Sequence, residues 1–114
     1  MGLLAAGSSA AKADTAGRIA FAANWQGNWD LYHVAADGSD LRRLTADPAD
    51  DRDPAWSPDG RQVAFRSHRD GNWELYRLDL ASGELVRLTR HPAFDGQPTW
   101  SPDGQWIAFS STRE

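Results

Sequence analysis

An all-β fold of repeated four-stranded antiparallel units is what this sequence predicts, on three observations. The chain repeats itself with a period of 44: Trp56-Ser57-Pro58-Asp59-Gly60 returns as Trp100-Ser101-Pro102-Asp103-Gly104, and Gly27-Asn28-Trp29 returns as Gly71-Asn72-Trp73. Ungapped alignment of residues 17–60 with 61–104 yields 20 identities in 44 positions. Within each period, four short apolar runs alternate with turn signals. No segment sustains a 3.6-residue apolar period, so helix content should be close to nil.

The complete copy justifies each element in order. Pro54-Ala55-Trp56 ends a first strand. Ser57-Pro58-Asp59-Gly60 is a tight turn, in which Pro presets φ and Gly supplies a positive φ at the exit. Gln62 to Ser67 forms a second strand centred on Val63-Ala64-Phe65. Asp70-Gly71 turns the chain into a third strand, Trp73 to Leu80, with Leu75 on one side and Tyr76, Leu78 and Leu80 on the other. Ser82-Gly83 turns it again into a fourth strand, Glu84 to Thr89. A loop, Arg90 to Gln97, leads to the next copy.

Four antiparallel strands per 44 residues match the size of one β-propeller blade. Blades covered on both faces explain continuous apolar runs such as Val63-Ala64-Phe65. The six tryptophans supply large apolar area for contacts between blades. The expected architecture is an incomplete propeller of about 2.5 blades. Its first blade has three strands over 18–45, its second spans 53–89, and a third begins over 97–110. The expected count is therefore nine strands, a piece of a longer propeller that should self-associate when expressed alone through its open blade faces.

Residues 1–17 precede the repeat as a leader. Ala11-Lys12-Ala13 before Asp14 fits an A-x-A cleavage pattern, which reads either as the remnant of a signal peptide or as a disordered linker.

Composition narrows the function. The chain has 114 residues, a formal net charge of −4 and no cysteine. Disulfides, thiolate catalysis and cysteine metal sites are thereby excluded. No basic run suggests nucleic acid, and no apolar stretch is long enough for a membrane span.

The string from Trp56 through Tyr76, followed by Leu88-Thr89, closely resembles the PD40-type, WD40-like repeat. This is the repeat of the TolB-like propellers, of the N-terminal propellers of prolyl-oligopeptidase-like serine peptidases, and of some carbohydrate-active propellers. Asp30-Leu31-Tyr32 through Leu44-Thr45 is especially TolB-like. The resemblance covers residues 18–114. It implies a non-enzymatic protein-binding scaffold in the bacterial periplasm or a secreted protein. It also implies a partner of the peptidoglycan-associated lipoprotein kind in the Tol-Pal system, or the remaining blades of a longer chain. The alternatives it carries are a substrate-gating peptidase propeller and a carbohydrate-active one.

No catalytic motif or cofactor-binding motif is present. Ser57 and Ser101 beside Asp59 and Asp103 read as turn-bracing residues rather than nucleophiles. The three histidines, His33, His68 and His91, do not recur between copies and lack ligand spacing. The acidic stretch Asp47 to Asp53 reads as a solvated loop, with a hard-cation site as the alternative. Arg69 with Asp70, and Arg113 with Glu114, read as local ion pairs. Trp25 and Trp29 read as buried between blades, with an exposed platform as the alternative. Loops entering the innermost strand gather near the central channel, so Asp51, Arg52, Asp53, Phe94, Asp95 and Gln97 are the expected partner-facing residues.

Overall fold

The computed structural model describes residues 12–14 and 16–113, and the described residues contain no helix. Ten strands follow one another: β1 Lys12–Ala13, β2 Ile19–Ala23, β3 Asp30–Val34, β4 Arg42–Arg43, β5 Asp51–Trp56, β6 Gln62–Ser67, β7 Glu74–Asp79, β8 Leu85–Arg87, β9 Asp95–Trp100 and β10 Ile107–Ser111. They form two four-stranded antiparallel sheets in sequential order, β1 to β4 and β5 to β8, and a two-stranded sheet of β9 and β10. The three sheets are successive propeller blades, with β2 against β5 and β5 against β9 at the blade contacts.

The Ile/Val-Ala-Phe triplet explains the stacking. Alternation puts Ile19, Phe21, Tyr32 and Val34 on one face of the first blade and Ala20, Ala22 and Leu31 on the other. The second blade presents Val63, Phe65 and Tyr76, all buried, into the small face made by Ala20, Ala22 and Leu31. A bulky face thus fits the alanine face of the preceding blade. Phe21 stacks on Tyr32 and Phe65 on Tyr76, with ring centroids 5.9 and 5.8 Å apart.

One strand lies where the sequence reading placed only leader. Lys12 pairs with Ala20 and Ala13 with Ile19, as Ala55 pairs with Ala64 and Trp56 with Val63. Asp14 occupies the place of Ser57: its Oδ1 accepts from the Arg18 amide at 2.7 Å, as Ser57 Oγ accepts from Gln62 at 3.0 Å. The turn is one residue shorter in the first copy, so the repeat slips out of its 44-residue register there. The first blade is four-stranded and the described strands number ten rather than nine. The rest of the leader, residues 1–11 and residue 15, lies outside the described residues.

The inner strands also begin earlier than predicted. β5 starts at Asp51 and β9 at Asp95, so residues expected on a loop are strand residues. A bulge in each hides them: the register shifts between Arg52 and Ala55, and again opposite Ala108 and Ser110. Asp53 and Gln97, equivalent in the repeat, both adopt a left-handed backbone, with φ of 57° and 54°.

Candidate functional site

Antiparallel alternation gives the blades two ends. The Ser-Pro-Asp-Gly turns lie at one end, the turn end. The second-to-third-strand turns and the inter-blade loops lie at the other, the loop end, where all six expected partner-facing residues are found.

A repeated set of buried ion pairs builds the loop end. Arg69 Nη2 lies 2.9 Å from both carboxylate oxygens of the fully buried Asp51. Its repeat equivalent, Arg113, reaches the fully buried Asp95 at 2.5 Å. A second series links Arg43 to Asp30 at 2.5 Å and Arg87 to Glu74 at 2.9 Å. Each pair joins strands or turns of one blade.

These pairs correct two expectations. Asp51 and Asp95 are not offered to a partner; their carboxylates point inward and hold the turn that carries the arginine. Nor does Arg69 pair with Asp70. It reaches back to Asp51, while Asp70 accepts from the Tyr76 hydroxyl and lies 3.9 Å from Arg87. Arg113 behaves as Arg69 does, and Glu114 lies outside the described residues.

Environment separates the two equivalent carboxyls. Burial pushes Asp51 above its ordinary value, against hydrogen bonds from Ser67 and Arg69 that favour the charged form. Burial acts upward at Asp95 too, but bonds from Ser111, Arg113 and Thr89 outweigh it and its carboxyl titrates below the ordinary value.

The first blade departs from this scheme at Trp25, which stands where Arg69 and Arg113 stand. Arg69 lies over Phe65 and Tyr76, 5.5 and 5.2 Å from the ring centres. Trp25 covers the equivalent Phe21 and Tyr32 at 5.5 and 4.6 Å. It is 42% exposed, so it caps the blade edge rather than lying buried between blades. Trp29 is half-buried under the Arg52 guanidinium, 4.0 Å from its ring centre.

Of the remaining expected residues, Asp53 and Gln97 on the innermost strands and Phe94 just ahead of β9 gather around Arg66, while Arg52 packs on Trp29. Asp53 lies 2.7 Å from Arg66, and the Gln97 amide donates to Asp53 at 3.2 Å, linking the two bulges across the blade boundary. The pattern repeats in neutral form, since Ser110, equivalent to Arg66, donates to Gln97 Oε1 at 3.0 Å. Arg66 also lies over Trp73 at 4.3 Å and Phe94 at 5.1 Å. Sequence reasoning missed Arg66 and Trp73. The signal was there in Arg66, a charge set among the apolar positions of a central strand.

Gly96 lets Phe94 and Arg66 meet. A methyl group there would fall 2.8 Å from Phe94 Cζ and 3.0 Å from Arg66 Cδ. Gly96→Ala is therefore expected to cost about 1–3 kcal/mol by overpacking. Urea denaturation checks this, and Trp73 fluorescence should change as the Arg66 contact shifts.

The histidines are absorbed locally. His33 is buried edge-on to Trp56, 5.8 Å between centres, and burial first, then the Arg18 charge, lowers its pKa. His68 meets Trp73 edge-on at 4.7 Å. His91 Nδ1 accepts from Ala93 at 3.1 Å. In the acidic stretch, Asp47 accepts from Ala49 at 2.8 Å and Asp50 from Trp29 at 3.0 Å, which makes it a bonded loop. Among the described residues no three metal-ligating side chains cluster.

At the turn end the expected motif residues brace their turns. Ser57 Oγ donates to Asp59 at 2.7 Å and Ser101 Oγ to Asp103 at 2.6 Å. Those hydroxyl bonds, then backbone bonds from Arg61 and Gln105, hold both carboxyls below their ordinary values. Gly60 and Gly104 exit the turns at positive φ, and Trp100 Nε1 donates to Ala55 of the preceding blade at 3.0 Å.

Known proteins share this architecture. The chain is similar to a putative TolB from Agrobacterium tumefaciens, at 31% identity and a TM-score of 0.75 over 85% of this chain and 35% of that one. It is similar to TolB from Acinetobacter baumannii at 30% identity and a TM-score of 0.67, over 82% of this chain and 23% of that one. The fold is shared with the tricorn protease, at 23% identity and a TM-score of 0.58, over 77% of this chain and 9% of that one. The chain thus spans about a third or less of the length of these proteins. No curated protein matches it. The family model described as the Tricorn protease N-terminal beta propeller domain matches residues 15–114, and the chain belongs to that β-propeller family.

Proposed function

We propose that this chain is a non-catalytic, protein-binding part of a TolB-like propeller acting in the bacterial envelope, periplasmic or secreted. The observation that carries this reading is the pair of linked bulges at Asp53 and Gln97. They set polar side chains on the innermost strands at the loop end, two residues along from the buried Asp51 and Asp95. Left-handed backbone at non-glycine residues costs energy and concentrates where side chains are aimed for a purpose. The roughly 30% identity to two TolB structures favours the scaffold reading. The proposed partner is a protein of the peptidoglycan-associated lipoprotein kind, approaching Arg52, Asp53, Phe94 and Gln97.

The test is calorimetric titration of the chain with the soluble domain of such a lipoprotein. Binding weakened about tenfold or more by Gln97→Ala supports the reading. Absence of binding, or binding indifferent to Arg52→Ala and Gln97→Ala, sinks it.

A second reading is favoured by the family match itself, which is to the propeller of a protease. On that reading the loop end filters peptide substrates for a hydrolase domain. A hydrolase domain encoded in the same gene, with a G-x-S-x-G nucleophile turn, distinguishes the two.

A further inference from the structure

The two blade junctions at the turn end are built alike, but only one is filled. In the first, Arg18 reaches across to the next blade. Its guanidinium lies over the Trp56 ring, 4.4 Å from the centre, and Nη2 donates to the Gly60 carbonyl at 2.8 Å. Asp14 is its counter-ion at 2.8 Å. A methyl built on Gly60 would meet Arg18 Nη2 and Asp14 Oδ2, each at 3.1 Å.

In the second junction the receiving parts recur as Trp100 and Gly104, but the residue at the position of Arg18 is Gln62. Gln62 lies opposite Asp79 in the register of the sheet. A methyl built on Gly104 meets only Pro58, at 3.7 Å. The space that Arg18 occupies in one junction is open in the other, as a polar cleft of about 540 Å³ bounded by Pro58, Asp59, Gln62, Trp100, Asp103 and Gly104.

We infer that this cleft is a binding site for the guanidinium group of an arginine presented by a polypeptide partner, docked as Arg18 docks in the neighbouring junction. The ring of Trp100 takes the cation, the Gly104 carbonyl accepts an N–H, and the exposed carboxylates of Asp59 and Asp103 supply the counter-charge that Asp14 supplies to Arg18. The neutral Gln62 leaves the position without a cation of its own. This site lies at the opposite end of the blades from the proposed partner surface, so it stands independently of that reading.

The probe is N-acetyl-arginine-amide, titrated into the 15N-labelled chain, with N-acetyl-citrulline-amide as the uncharged isostere. Saturable shifts of the Trp100 and Gly104 amides are expected in the millimolar range, at least tenfold weaker for citrulline. Gln62→Arg restores an internal arginine and should abolish the response while leaving the chain folded. Asp103→Asn should weaken it several-fold. The inference is overturned by equal responses to arginine and citrulline, by no saturable shift at Trp100 and Gly104, or by undiminished binding to Gln62→Arg. A tighter response to free arginine than to the blocked probe would also overturn it, since the site would then read a free amino acid.

Discussion

Replacing Arg69 by methionine is expected to destabilise the chain by about 3–5 kcal/mol at neutral pH, because it strands a fully buried carboxylate. Methionine keeps most of the aliphatic packing over Phe65 and Tyr76, so the loss reports on charge. Burial already raises the Asp51 carboxyl, with Ser67 and Arg69 pulling it down. Without Arg69 it should climb further. A carboxyl that titrates higher in the folded chain than in the unfolded one holds its proton more tightly when folded. Its cost is absent below the ordinary carboxylate range and grows as pH rises through the raised value. Arg69→Met should therefore be mildest in acid and worst near neutrality. Asp51→Asn added to Arg69→Met should remove most of that pH dependence, and urea denaturation between pH 4 and 7 measures it. Arg113→Met should cost less, since Arg113 is 36% exposed where Arg69 is 15% exposed.

Phe65→Ala is expected to cost about 3–5 kcal/mol, by loss of transfer energy and by the cavity left behind. Phe65 is fully buried, stacked on Tyr76 and pressed into the alanine face of the preceding blade. Phe109→Ala, the same change one repeat later, should cost roughly 1 kcal/mol, because Phe109 is 39% exposed. The ratio of the two, measured by denaturation, tests whether burial between blades dominates stability. Similar losses at both positions would mean that Phe109 is covered in solution, as self-association would require.

Most of the fold was legible because the repeat is encoded in residues that act locally. The Ser-Pro-Asp-Gly turns bond within themselves, and Val63-Ala64-Phe65 alternates bulky and small residues wherever it sits. The predicted second strand, Gln62 to Ser67, matches β6 end to end. β1 was illegible because its turn is one residue shorter and lacks the Trp-Ser-Pro signature, and only its pairing with β2 identifies it. The starts of β5 and β9 were hidden by bulges, since a bulge breaks the two-residue alternation by which a strand is read.

The candidate site was half legible. Acidic and aromatic residues at the entry to the innermost strand were found because they lie close together in sequence. Their roles were not. The sequence placed Asp51 and Asp53 two residues apart with equal standing. One is buried under Arg69, and the other lies at a left-handed bulge bonded to Gln97 from the next blade.

By itself the sequence determined the all-β class, the blade repeat and the turn chemistry, because these depend on residue type at short range and on a period visible without coordinates. Only the tertiary structure decided which carboxylates are buried and which junction is already filled by an arginine. Those outcomes depend on contacts between residues about 18 or 44 positions apart, brought together by strand pairing and blade stacking. A guanidinium reaches its partner through space, and the spacing along the chain carries no record of which carboxylate or ring it meets.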